Sequence, residues 1–157
     1  MIDFSKSITV SSNEIADNDW ILDLEDIEKD TGRLLVKRRM CDIKSKSDKH
    51  KFFMGNILYS KLRPYLNKVL IADDDGYCTT EILAFDFGCN VDNRFAQIYL
   101  MSPFFVDYAM AGAYGVKMPR LGSDRGNLAL IPLPPIKEQK RIVNTINTIF
   151  SKIKGEN

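Results

Sequence analysis

The sequence predicts an α+β domain: a twisted β-sheet carrying short packing helices, followed by a C-terminal amphipathic helix. Three observations carry that class. Strand-type runs rich in β-branched and aromatic residues cluster between Phe52 and Phe87, divided by turn signals. Apolar residues then recur at helical spacing from Arg94 to Met110. Finally, Ile136 to Lys154 contains no Gly or Pro and sets Ile142, Ile146, Ile149 and Ile153 at alternating intervals of four and three.

The size suits one compact unit. The chain has 157 residues, 45% hydrophobic, 27% charged and 10% aromatic, an ordinary globular composition. A chain of this length buries roughly 68–70% of its unfolded surface, so a core forms without a metal or disulfide framework. No apolar run reaches the roughly 18 residues of a membrane span, and nothing at the amino terminus reads as a signal peptide. The expected compartment is the cytoplasm. Cys41, Cys78 and Cys89 form no C-x-x-C pair and the single histidine, His50, sits among lysines, so free thiols are expected and no metal.

A net charge of +1 conceals segregation along the chain. Residues 1–32 carry −7, residues 33–68 carry +9, residues 69–116 carry −6 and residues 117–157 carry +5. Two basic blocks are what an electrostatic footprint for a polyanion looks like; a pair of solvated faces is the plainer alternative.

In chain order, Trp20 to Ile27 forms a short element that buries Trp20, and Thr31-Gly32 stops it. A short strand at 34–36 precedes an exposed loop at 44–51. Strands follow at 56–60, 68–72 and 77–87, with Asp75-Gly76 as a hairpin signal between the last two. Asp73, Asp74 and Asp75 lack the spacing of a calcium loop and read as a solvated turn. Two helices, 94–101 and 104–110, are divided by Ser102-Pro103, and their aromatics Phe95, Tyr99, Phe104, Phe105 and Tyr108 serve burial. A glycine-punctuated loop over 112–127, a strand at 128–131 and the Leu133-Pro134-Pro135 stop lead into the final helix. Its isoleucines form a stripe that seeks a partner helix or folds back on the domain.

Enzymatic signatures are missing. There is no P-loop, G-x-G-x-x-G, G-x-S-x-G or H-E-x-x-H, and Glu81 has no second acid and lysine beside it to complete a nuclease set. No catalytic residue and no cofactor is expected. What is present is basic and aromatic. Tyr59, Lys61 and Arg63 share a face at the two-residue period if their strand continues, with Tyr65 and Lys68 beyond Pro64. Such a row suits phosphate and base-edge contacts, Arg adding a bidentate fork; an ordinary solvated face is the alternative. Lys37, Arg38, Arg39, Lys49 and Lys51 add cations from the same block. Lys117, Arg120 and Arg125 stand in a loop that Gly112, Gly115, Pro119 and Gly122 shape for close backbone approach.

Three strings together, GNILYSKLRPYLNKVLIADDDGYCTTEILAF (55–85), GVKMPRL (115–121) and IPLPPIKEQKRIV (131–143), resemble one family. They are similar to a target recognition domain of type I restriction-modification specificity subunits, together with the start of its spacer helix. The resemblance runs from about Trp20 to the chain's end and implies a DNA target recognition domain over 1–135 and a spacer-type helix over 136–157. Subunits of that family carry two such domains joined by two long antiparallel helices, so this chain resembles half of one, with a shorter helix. By resemblance the chain reads one half of a bipartite double-stranded DNA site without catalysis. It would direct methyltransferase and restriction subunits, to which S-adenosylmethionine, ATP and Mg²⁺ belong. The isoleucine stripe would then support weak self-association. Two other readings stand beside it: a small nuclease or methyltransferase fragment, and a protein-interaction module acting through the final helix.

Overall fold

The computed structural model describes residues 8–43 and 46–155. Ten strands are found among them: β1 (Ile8–Val10), β2 (Trp20–Leu22), β3 (Arg38–Arg39), β4 (Lys49–Phe52), β5 (Ile57–Ser60), β6 (Val69–Ile71), β7 (Gly76–Thr79), β8 (Ile82–Phe85), β9 (Ala113–Tyr114) and β10 (Arg120–Leu121). Four helices accompany them: α1 (Asn93–Leu100), α2 (Pro103–Ala111), α3 (Ser123–Asn127) and α4 (Ile136–Lys154). The class is α+β, as the sequence predicts.

The strands form a mixed five-stranded sheet ordered β1-β4-β7-β2-β3, an antiparallel three-stranded sheet ordered β6-β5-β8, and the β9–β10 hairpin. The three-stranded sheet is the middle layer, which explains why every residue of β5 is buried. Alternate side chains point to opposite faces of a strand. Ile57 and Tyr59 therefore join Leu83, Phe85 and the helix residues Ala96, Leu100 and Phe105 in one core, while Leu58 and Ile82 join Trp20, Phe52 and Cys78 in the other. Trp20 and Phe52 meet edge to face at 5.0 Å.

Helix termini follow their local chemistry. The Asp92 carboxylate accepts the Phe95 N–H at 3.0 Å, and Ser102 caps α2 with Pro103 in the first turn, where a missing N–H costs nothing. Helix α4 starts after Pro134-Pro135 and ends at Gly155, whose φ of 71° is a left-handed cap. Its root is pinned by the buried Gln139, which accepts the Asp92 N–H at 2.8 Å and donates to Asn90 O at 3.1 Å and Pro134 O at 2.8 Å.

Several local expectations are corrected. The 44–51 segment is not all loop: 44 and 45 lie outside the described residues, and Lys49 to Phe52 form β4, inside the sheet between β1 and β7. Ladder pairing and the buried Phe52 override the polarity of the run. The strand expected at 34–36 lies at 38–39, where Trp20 and Ile21 offer an edge, and Leu34 makes a single bridge to Ile27. Asp75-Gly76 closes no hairpin, because β6 and β7 enter different sheets. Gly76 serves close approach instead: a Cβ there would stand 2.7 Å from the Phe52 ring and 2.8 Å from Trp20 O. The run 77–87 divides into β7 and β8 at Thr80-Glu81, again between sheets. The 112–127 loop contains β9, β10 and α3. Residues 128–131 form no ladder; Ala129 and Ile131 pack on the core while Leu128 and Leu130 face outward. Phe104, expected inside, is exposed, whereas Phe95 and Phe105 are buried.

Candidate nucleic-acid interface

The chain leaving β5 does not continue as a strand. Residues 61–63 are stitched between the start of β8 and the hairpin: Lys61 N–H donates to Glu81 O at 2.9 Å, Leu121 N–H to Lys61 O at 2.9 Å, and Arg63 N–H to Pro119 O at 2.7 Å. A bridge joins Leu62 to Arg120. These bonds hold two sequence clusters, 61–63 and 117–120, against each other.

Arg63 has φ 51° and ψ 65°, a left-handed backbone on a residue with a Cβ. That conformation costs about 1–2 kcal/mol and persists only where surroundings impose it. Here Pro64 opens a 3₁₀ turn at once and Pro119 O takes the Arg63 N–H. The guanidinium Nε is buried and has no hydrogen-bond partner among the described residues. Lys61 Nζ donates to Ser123 Oγ at 3.1 Å, tying α3 to the same ridge. Arg120 is braced twice. The Tyr114 hydroxyl, its register partner across the hairpin, and then the Glu81 carboxylate at 2.7 Å hold the guanidinium above its ordinary pKa. Arg125 lies over the Tyr108 ring at 4.8 Å, and Tyr108 Oη donates to Arg125 O at 2.9 Å. Lys117 is exposed in the connection between β9 and β10.

Other predicted residues are placed elsewhere. Tyr59 is buried, packed edge to face on Phe105 at 5.4 Å, and burial pushes its phenol well above the ordinary value. The strand's period carries it to the helix-facing core, so it presents no face together with Lys61. Lys68 Nζ is drawn inward to Leu24 O at 2.6 Å, and Lys49 is buried, donating to Ser47 O and Oγ at 3.0 and 2.7 Å. Lys37 pairs with Asp73 at 3.0 Å and Asp74 at 3.3 Å and lies over the Trp20 ring. Arg38 pairs with Glu25 at 2.6 Å and Asp26 at 2.8 Å, and Arg39 donates to Asn18 O at 2.8 Å. The acidic and basic blocks that look separate in the sequence thus partly neutralise each other at the β3 edge. Lys51 lies 5.2 Å from the Phe53 ring centroid, and Tyr65 is exposed on the 3₁₀ turn after Arg63. Sequence reasoning missed Tyr114, Ser123 and the bracing role of Glu81, because the hairpin register brings Tyr114 to Arg120 and contacts between distant segments bring Ser123 to Lys61 and Glu81 to Arg120. Tyr114 was open to detection: once 113–121 is taken as a hairpin, it falls opposite Arg120.

On α4, the face turned to the body is Gln139, Val143 and Ile146, offset from the predicted isoleucine stripe. Ile146 and Phe150 line one wall of a cleft of about 550 Å³ whose other wall includes Arg94, Ile98 and Met101. Ile149 and Ile153 are exposed. Among the described residues no group of three His, Cys, Asp or Glu side chains converges as a metal site, and no helix is long and apolar enough to cross a membrane.

No protein-family model matches the chain. Among curated proteins, the type I restriction enzyme EcoDI specificity subunit of Escherichia coli is 30% identical over 125 residues, 80% of this chain and 28% of that protein. Among solved structures, the HsdS subunit from Thermoanaerobacter tengcongensis superposes with a TM-score of 0.74 at 18% identity, covering 95% of this chain and 43% of the other. A chain from a structural study of complex assembly and conformational transition in the type I R-M system gives 0.76 at 18% identity, covering 99% and 45%. The chain therefore spans under a third of the curated relative and under half of each structural neighbour. The resemblance read from the three sequence strings is borne out by the sequence relative, and the fold by the structures.

Proposed function

We propose that this chain is a sequence-specific DNA-binding component of a type I restriction-modification system. Residues 1–135 would form the target recognition domain and 136–157 a spacer-type helix. It reads one half of a bipartite duplex site and directs methyltransferase and restriction subunits, performing no catalysis itself. The observation that carries this reading is the ridge in which Lys61, Arg63, Lys117 and Arg120 are drawn together by the bonds between 61–63 and the hairpin, in a chain similar to specificity subunits. Arg125 and Tyr65 extend it, while Lys37, Arg38, Lys49, Tyr59 and Lys68 support the fold.

Selection from a random duplex library with the purified chain, followed by titration of the enriched duplex across salt concentrations, tests the proposal. Each phosphate neutralised adds roughly 0.9 to the slope of log K against log salt, so three to five contacts give about −3 to −5. Affinity for unselected duplex is expected on the order of 10⁻⁴–10⁻⁶ M at physiological salt. A slope near zero overturns the reading, and metal-dependent cleavage or methyl transfer by the isolated chain would replace it with an enzyme.

A further inference from the structure

The β9–β10 hairpin carries an apolar tip that none of the described residues covers. Val116 is fully exposed (101%), Tyr114 is 58% exposed and Met118 is 50% exposed. Three large side chains within five residues stand in water on a narrow ribbon. The tip is built to stay narrow: Gly115 has φ +90°, and a Cβ there would stand 3.0 Å from Met118 O. It is also held rigidly, through Arg63 N–H on Pro119 O, Leu121 N–H on Lys61 O and the Arg120–Glu81 ion pair.

We propose that this hairpin enters a groove of duplex DNA and that Val116 and Met118 contact base-pair edges, an apolar readout that rests on the DNA-binding reading above. A two-stranded ribbon fits the major groove, and the thymine methyl group is the apolar feature displayed there. Apolar side chains gain nothing from phosphate, so in a DNA complex their contribution is to bases. The cations around them decide the occupant. Lys117 lies between the two, with Lys61 and Arg120 at the hairpin's base, and that mixture complements a polyanion better than an apolar protein surface.

The test uses the full chain, the duplex it enriches from a random library and a scrambled duplex of equal length. Val116→Ser with Met118→Ser should lower the ratio of enriched to scrambled affinity about 10-fold or more, the loss of readout at one base pair typically costing about 5- to 150-fold. Affinity for scrambled duplex, the salt slope and the melting temperature should stay unchanged; Val116→Thr, which keeps the β-branched shape, should give an intermediate ratio. Lys117→Ala should do the reverse, weakening both duplexes alike and reducing the slope by about 0.9. An unchanged ratio in the double variant of a DNA-binding parent overturns the inference alone. A parent that binds neither duplex overturns the DNA reading with it.

Discussion

Arg120 Nη2 stands 2.7 Å from Glu81 Oε1, so a leading candidate cation of the ridge is held by an acid in the free protein. The pair is partly exposed, with the side chains 40% and 23% accessible, and such pairs contribute only about 0–1 kcal/mol to stability. Its weight lies in orientation and in the local potential.

Glu81→Gln keeps a hydrogen-bonding group beside Arg120 and removes a negative charge from the ridge. Affinity for DNA should rise about 2- to 5-fold at low salt, while Arg120→Ala should lower it about 3- to 10-fold. Both are read by fluorescence anisotropy. Neither should move stability by more than about 1 kcal/mol. Weaker binding by Glu81→Gln would mean that the acid itself contacts the ligand.

Gly32 has φ +65°, and a Cβ there would stand 2.2 Å from Val69 O and 2.5 Å from Gln97 Nε2, where Gln97 donates to Val69 O at 2.8 Å. Gly32→Ala meets backbone strain and a backbone clash together. Urea unfolding should show a loss of about 2–4 kcal/mol, since each source typically costs about 1–3. An unchanged midpoint would show that the turn relaxes freely.

Burial pushes the Cys78 thiol from an ordinary 9.0 up to about 12, whereas Cys41 and Cys89 are exposed. A thiol reagent at pH 8 should titrate two groups quickly and the third only on unfolding. Because the folded value is raised, the contribution is complete below about pH 9, where both states hold the proton. It is lost as pH rises from about 9 toward about 12, where only the unfolded thiol ionises. Cys78→Ala should flatten that alkaline decline measured by denaturant titration.

The two ends of α4 should respond differently to charge. Ile146 lines the cleft against α1, so Ile146→Asp should destabilise the domain by about 1–3 kcal/mol. Ile149→Asp with Ile153→Asp alters exposed positions and should leave the melting temperature unchanged while abolishing any concentration-dependent association seen by sedimentation. A parent that is monomeric at all concentrations would show that these residues serve no self-pairing.

What the sequence made legible was whatever depends on local chemistry. The Ser102-Pro103 division between the helices, the β5 and β6 runs and the extent of α4 follow from residues within a few positions of one another. What it hid depends on distant partners. His50 and the lysines beside it read as loop because their pairing with Tyr77 and Cys78 lies 26 or more residues away. Lys37 and Arg38 read as free cations because Asp73, Asp74 and Glu25 reach them only after folding. Tyr59 and Lys61 read as neighbours on one face because nothing local announces that β5 ends at Ser60.

The three hydrogen bonds of Gln139 make α4 a cantilever clamped at one end. The 15 residues beyond the clamp extend about 22 Å, so a tilt of about 10° there displaces the free end by about 4 Å. Whatever grips Ile149 and Ile153 therefore has its distance from the hairpin set near the other end of the arm, by the Gln139 amide together with the buried Val143 and with Ile146 at the cleft. Removing that amide, as in Gln139→Ala, should broaden the spread of end positions while leaving local contacts at the free end intact.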